Sequence, residues 1–235
     1  MNYRISLLLA LCSASLPQTL VAEEVYFDTV STEHALRPHG AYFGIGGGGA
    51  HLDSVDIRQR NSGKTVDGGG DTGWMFDLKF GYAFNLPIPV RPAMELDFLY
   101  LDSETSGSGA NSFYHSNNKA FLLMGSAVVS LDLSSQREQV GDFLANFHPY
   151  IGVGFGGGYV SEDNIVSRQD GKTKSRDNRN QFSLASDWVV GVEFNLSDEL
   201  SLYGEYKRLY VDDFGGNDVS NAELSLWTIG VRFAY

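Results

Sequence analysis

A chain of 235 residues with a formal charge of -12, 27 Gly, 12 Tyr, 15 Phe and one Cys suits a single all-β domain better than two small ones. The acidic balance, with no run of Lys or Arg anywhere, excludes nucleic acid as a partner, because phosphates demand a basic patch. Gly and aromatics together are what a membrane barrel needs, small residues where the wall is crowded and rings at the interfaces.

The N-terminus reads as a secretory signal: Arg4 in a short polar start, the apolar run Ile5 to Leu16, then Pro17 and Ala22 before Glu23 and Glu24. Residues 1–22 are therefore expected to be a cleaved signal peptide, since the run is too short to span a bilayer. Cys12 follows Leu11 rather than a small residue, so it does not mark a lipoprotein. After cleavage no cysteine remains for a disulfide or a thiolate metal site. Residues 23–38 show no clear period and are expected as a periplasmic N-terminal segment, with a plug or cap on the lumen as the alternative.

No later segment is apolar enough for a transmembrane helix. A closed barrel is then the remaining spanning structure, because open strand edges in lipid leave backbone groups unpaired at several kcal/mol each. Residues 39–235 carry the pattern it requires. In Trp74 to Phe84, the residues Trp74, Phe76, Leu78, Phe80, Tyr82 and Phe84 share one face, opposite Met75, Asp77, Lys79, Gly81 and Ala83. Met94 to Tyr100 and Phe182 to Phe194 repeat the alternation. The reading is all-β, an eight-stranded antiparallel up-and-down transmembrane β-barrel, with strands near 40–52, 73–84, 92–102, 118–132, 148–161, 181–195, 199–211 and 223–235.

The stretches near 53–72, 103–117, 162–180 and 212–222 are rich in Gly, Ser, Asn and Asp and are expected as extracellular loops. The Pro-punctuated 85–92 and the tight 195–199 are expected as periplasmic turns. Residues 134–147 are a longer exception, where Val140, Phe143, Leu144 and Phe147 suit a helical turn at the membrane surface.

Asp77, Lys79, Glu95, Asp97, Glu193, Glu205, Lys207 and Arg232 all fall on the faces opposite the lipid set. Burial of such ions is costly unless they pair, so the three cations are expected to bridge the carboxylates as a lumen charge network. An eight-stranded lumen is only wide enough for side chains to fill it. A salt-bridged plug and a narrow conducting pore are the two readings, and the excess of carboxylates leaves a proton-sharing or cation-binding site open. Gly44, Gly46 and Gly48, like Gly152, Gly154, Gly156 and Gly158, recur every second residue and are expected on the inner wall, making room for bulky neighbours.

Only His115 and Ser116 invite comparison with the catalytic pair of a lipid A deacylase, and adjacent strand residues face opposite sides. His34, His39, His51, His115 and His148 have no paired ligand spacing, so neither a metal nor a cofactor is expected. Arg168, Lys172, Lys174, Arg176 and Arg179 make the third loop basic, a charge that suits anionic lipopolysaccharide phosphates or plain solvation.

At the C-terminus Thr228, then Gly230, then the aromatics Phe233 and Tyr235 resemble the signal by which the outer-membrane assembly machinery recognises barrel substrates. Residues 149–158 look like the strand that opens the second half of small OmpA-like and opacity-type surface barrels, and 191–207 are similar to their strand, tight turn and strand. Unlike OmpA, the chain is expected to carry no soluble peptidoglycan-binding domain after the barrel, so the resemblance does not imply cell-wall anchoring. The resemblance implies a bacterial outer-membrane location, with membrane lipid, lipopolysaccharide and the barrel-assembly machinery as partners. The function expected is a non-enzymatic structural or surface-interaction role, adhesin- or antigen-like, towards an extracellular ligand or host surface. A narrow solute or ion channel is the alternative, and a lipid-modifying enzyme comes third.

Overall fold

The computed structural model describes residues 40–58, 65–70, 72–86, 88–109, 112–169, 172–176, 179–212 and 219–235. The expected signal peptide and residues 23–38 lie outside them. Ten strands follow in chain order: β1 Gly40–Arg58, β2 Thr65–Gly70, β3 Thr72–Ala83, β4 Val90–Gly109, β5 Ser112–Leu131, β6 Phe147–Gln169, β7 Lys172–Arg176, β8 Arg179–Asn195, β9 Leu200–Asp212 and β10 Val219–Ala234. β2 and β3 succeed one another between β1 and β4. β7 and β8 do the same along β6, so the wall has eight strands, all antiparallel. β10 returns to β1 from Tyr42↔Ala234 to Ile57↔Val219 and closes the sheet. Closure leaves no row of unpaired backbone groups facing lipid. The expected eight-stranded up-and-down transmembrane barrel is what the chain forms.

The stretches read as loops are shorter than the sequence suggested. β4 and β5 stay paired out to Gly109↔Ser112, β1 and β2 to Arg58↔Thr65, β6 and β7 to Gln169↔Lys172, and β9 and β10 to Asn221↔Asp212. A ladder needs only backbone groups, so pairing continues where the side chains no longer alternate apolar with polar. The Gly, Ser and Asn of these stretches therefore record polarity on both faces rather than an end to pairing. The basic residues Arg168 to Arg179 lie in this paired region, on β6, β7 and β8.

At the opposite end, which carries Gly40 and Tyr235, the connections are compact. Leu196 and Ser197 both donate their amides to the Leu200 carbonyl, at 2.9 and 3.0 Å, and the Leu200 amide donates to Ser197 Oγ. The long connection holds a 3-10 turn, Ser134–Gln136, and the helix α1, Arg137–Ala145. Gly141 interrupts α1 at φ 82°, a backbone angle that favours glycine. Phe143 and Leu144 are exposed, and Phe143 stacks on Phe147 and leans on Phe194, so the helix extends the outer apolar band. His148 ties this connection down: Nδ1 lies 3.2 Å from the Leu131 carbonyl and Nε2 lies 3.1 Å from Asn195 Nδ2.

The outward face is apolar and carries aromatics at two levels, as a bilayer requires. Trp74, Tyr100 and Phe121 touch in series, as do Tyr159 with Phe182 and Trp188 with Tyr206 and Trp227. Nearer the termini, Phe43, Phe80 and Phe98 form a second contact series.

The inward face divides into two layers. Towards the hairpins it is a continuous apolar cluster that includes Leu52, Met75, Leu99, Leu122, Met124, Leu209, Leu224 and Leu226, each 3% exposed or less. Towards the termini it is charged.

Candidate functional site

Every residue of the expected lumen network points inward and is buried: Asp77 and Lys79 from β3, Glu95 and Asp97 from β4, Glu193 from β8, Glu205 and Lys207 from β9, and Arg232 from β10. Their period of two along each strand is what aims them to one side. β1 and β6 contribute glycines instead, and these supply the space. A Cβ on Gly46 would lie 2.4 Å from both Asp77 Oδ1 and the Tyr203 hydroxyl, and one on Gly154 would lie 2.3 Å from Asp187 Oδ1. At Gly156 and Gly158 the constraint is the neighbouring backbone: a Cβ would meet the carbonyl oxygens of Leu123 and Phe121 at 2.0 and 1.8 Å.

Lys79 Nζ sits among four carboxylates, 2.9 Å from Glu205, 3.3 Å from Asp97, 3.4 Å from Asp77 and 3.8 Å from Glu95. Lys207 Nζ lies 2.6 Å from Asp97 and 3.5 Å from Glu205. Arg232 spreads its two terminal nitrogens, Nη1 to Glu193 and Nη2 to Glu95 at 2.9 Å, a fork that a planar guanidinium serves better than an ammonium.

Three tyrosines complete the layer, donating from Tyr42 to Glu95 at 2.6 Å, from Tyr150 to Glu205 at 2.9 Å and from Tyr203 to Asp77 at 3.1 Å. Ser201 donates to Glu193 at 2.7 Å. The Arg232 guanidinium lies 4.6, 5.4 and 5.8 Å from the ring centres of Tyr42, Tyr203 and Tyr150, within cation–π range. Each ring rests in a gap left by a glycine directly across the ladder: Tyr42 on Gly81, Tyr150 on Gly191 and Tyr203 on Gly230. A cleft from the terminal end reaches this layer and is lined by Tyr42, Arg91, Glu95, Tyr150, Glu193 and Arg232.

The tyrosines, Ser201, Asp187 and the apolar layer were absent from the sequence-derived network. Parity would have found the first: Tyr203 is two residues before Glu205, Tyr42 two before Gly44, and Tyr150 two before Gly152.

Of the proposed assembly-signal residues, Thr228 and Gly230 face inward, where Thr228 donates to the Met75 sulfur at 3.3 Å and Gly230 receives Tyr203. Phe233 and Tyr235 face outward and are exposed. His115 and Ser116 are not brought together as a catalytic pair. Ser116 is fully buried and hydrogen-bonds Asn118 on its own strand at 3.5 Å. Among the described residues no group of three or more His, Cys, Asp or Glu is arranged to hold a metal ion.

The layer can hold charge in fixed positions within a lumen that its own side chains fill. Many solved structures are similar to this chain, three among them as follows. Neisserial surface protein A is 18% identical, with 84% of this chain and 100% of that one covered and a TM-score of 0.49. OprG from Pseudomonas aeruginosa is 15% identical, with coverage of 84% and 96% and a TM-score of 0.39. Ail, the attachment invasion locus protein of Yersinia pestis, is 16% identical, with coverage of 83% and 98% and a TM-score of 0.37. No curated protein sequence matches the chain. A family profile described as the outer membrane protein beta-barrel domain matches residues 5–233, and the chain belongs to that family.

Proposed function

We propose that this chain is a non-enzymatic protein of the bacterial outer membrane with a structural or surface-interaction role, adhesin- or antigen-like, exercised by its four hairpins. The observation that carries the reading is the filled lumen: among the described residues a charged layer and a packed apolar layer stand in series along the barrel. With the interior occupied, the hairpins remain as the part that meets ligands, host surfaces and lipopolysaccharide. The termini and the compact turns face the periplasm, residues 1–22 are removed as a signal peptide, and residues 23–38 stay on the periplasmic side. Thr228, Gly230, Phe233 and Tyr235 serve recognition by the barrel-assembly machinery, with the two aromatics offered on the outer face.

Planar-bilayer recording of the refolded barrel tests this reading. A silent bilayer is the expected result. Steady ohmic conductance through the intact barrel would replace it with the narrow-channel alternative.

A further inference from the structure

The hairpins do not rise to one height. β9 ends at Asp212, and its ladder with β8 begins only at Ala185↔Val211. β6 climbs further, carrying β8 up to Glu162↔Arg179 and then β7 from Ile165↔Arg176 to Gln169↔Lys172. On the side away from β6, residues 179–184 of β8 and the whole of β7 therefore have no neighbouring strand among the described residues. β7 lies beyond the outer aromatic level marked by Tyr159 and Phe182. An open edge of this kind presents a row of backbone N–H and C=O groups to one more strand.

The register gives the edge a charge. Lys172, Lys174 and Arg176 occupy alternate positions of β7, one face of the strand by its period of two. Their ladder partners on β6 are Gln169, Ser167 and Ile165, and the first two rows continue on β5 to Ser112 and Tyr114. None of these positions carries a carboxylate, whereas Arg179 on β8 stands opposite Glu162. Opposite charge for the three cations can thus be supplied across the ladder only from the open side. A second copy of this chain does not supply it. Antiparallel pairing centred on Lys174 sets Lys172 against Arg176, and like charges directly opposite are destabilising. A strand with acids at alternate residues brings the right sign to each position.

We propose that the open edge of β7 and β8 takes an extended acidic polypeptide as an added strand, with carboxylates at alternate residues set against Lys172, Lys174 and Arg176. The inference rests on the surface-interaction reading of the hairpins and gives that reading a partner class. Main-chain hydrogen bonds supply the affinity, and the alternating side chains supply the choice of partner.

The test measures binding of fluorescent eight-residue peptides to the full folded chain in lipid nanodiscs. A peptide alternating Glu with Thr is expected to bind. One alternating Lys with Thr binds at least roughly tenfold more weakly, since three cross-strand charge pairs turn from attractive to repulsive. N-methylation of every amide in the Glu peptide keeps its charge, removes its main-chain donors and is expected to abolish binding. Lys172→Glu, Lys174→Glu and Arg176→Glu together transfer the preference to the Lys peptide, a gain that an unfolded variant does not show. No binding of the Glu peptide, or equal binding of its N-methylated form, overturns the proposal. The second result would leave a patch for any polyanion, a lipopolysaccharide phosphate included. Neither result touches the surface role itself, which falls on steady conductance through the barrel.

Discussion

Lys79 and Arg232 solve the same problem in different ways. The ammonium of Lys79 is a compact charge on a flexible stem, and it reaches four carboxylates between 2.9 and 3.8 Å without aligning with any one of them. Arg232 instead commits each end of its fork to one acid and lays its face against tyrosines. Removing either side chain leaves buried carboxylates without their cation, which costs more than the pair contributes, about 3–5 kcal/mol. Lys79→Met is therefore expected to lower the unfolding free energy of the folded barrel by that amount, read as a lower urea midpoint. Lys79→Met combined with Glu205→Gln recovers part of the loss, since one of the orphaned charges goes with it. Equal midpoints for Lys79→Met and the native protein would show that the layer is not held by this ion.

At the scale of the strand, the repeated unit is a tyrosine on one strand lying over a glycine on the next. It occurs at Tyr42 with Gly81, Tyr150 with Gly191 and Tyr203 with Gly230. Each ring covers backbone that a glycine leaves bare, and each hydroxyl goes on to a carboxylate. A methyl on Gly230 would stand 2.4 Å from the Tyr203 ring and 2.5 Å from the Ile45 carbonyl, so the ring must leave its seat. Gly230→Ala is expected to destabilise by roughly 1–3 kcal/mol, the usual cost of overpacking. In a double-mutant cycle with Tyr203→Ala the two losses are not additive, because the second change relieves the clash made by the first. Additive losses measured by urea unfolding would separate the glycine from the ring. The strands themselves were legible from the outer face, because Trp74 to Phe84 must satisfy lipid on every second residue. The hairpins were not, since the stretch from Ser103 to Gly109 carries no apolar period to read. The tyrosine seats were missed for another reason: a tyrosine suits the membrane interface as well as a hydrogen-bonded lumen, so its identity does not choose a face.

Across the whole molecule, the charged layer was legible and the apolar one was not. A charge opposite a lipid-facing residue has only one place to go, so Asp77, Lys79 and Arg232 declare the lumen. In Phe98 to Leu101 apolar residues occupy both faces, and the alternation that would mark Leu99 and Leu101 as interior disappears. The consequence is a lumen with two different barriers in series. Ions meet a desolvation barrier in the apolar layer, where Leu99, Leu122, Leu209, Leu224 and Leu226 pack together and offer no polar atoms of their own to replace water. That barrier is independent of the salt bridges below it. Lys79→Gln alone is therefore expected to weaken the barrel yet leave a planar bilayer silent. Conductance appears only when polar residues are introduced above as well, as in Lys79→Gln with Leu122→Ser and Leu226→Ser, which lets water enter both layers. Steady current from Lys79→Gln by itself would mean that the apolar layer is wet and that the charged layer alone closes the barrel.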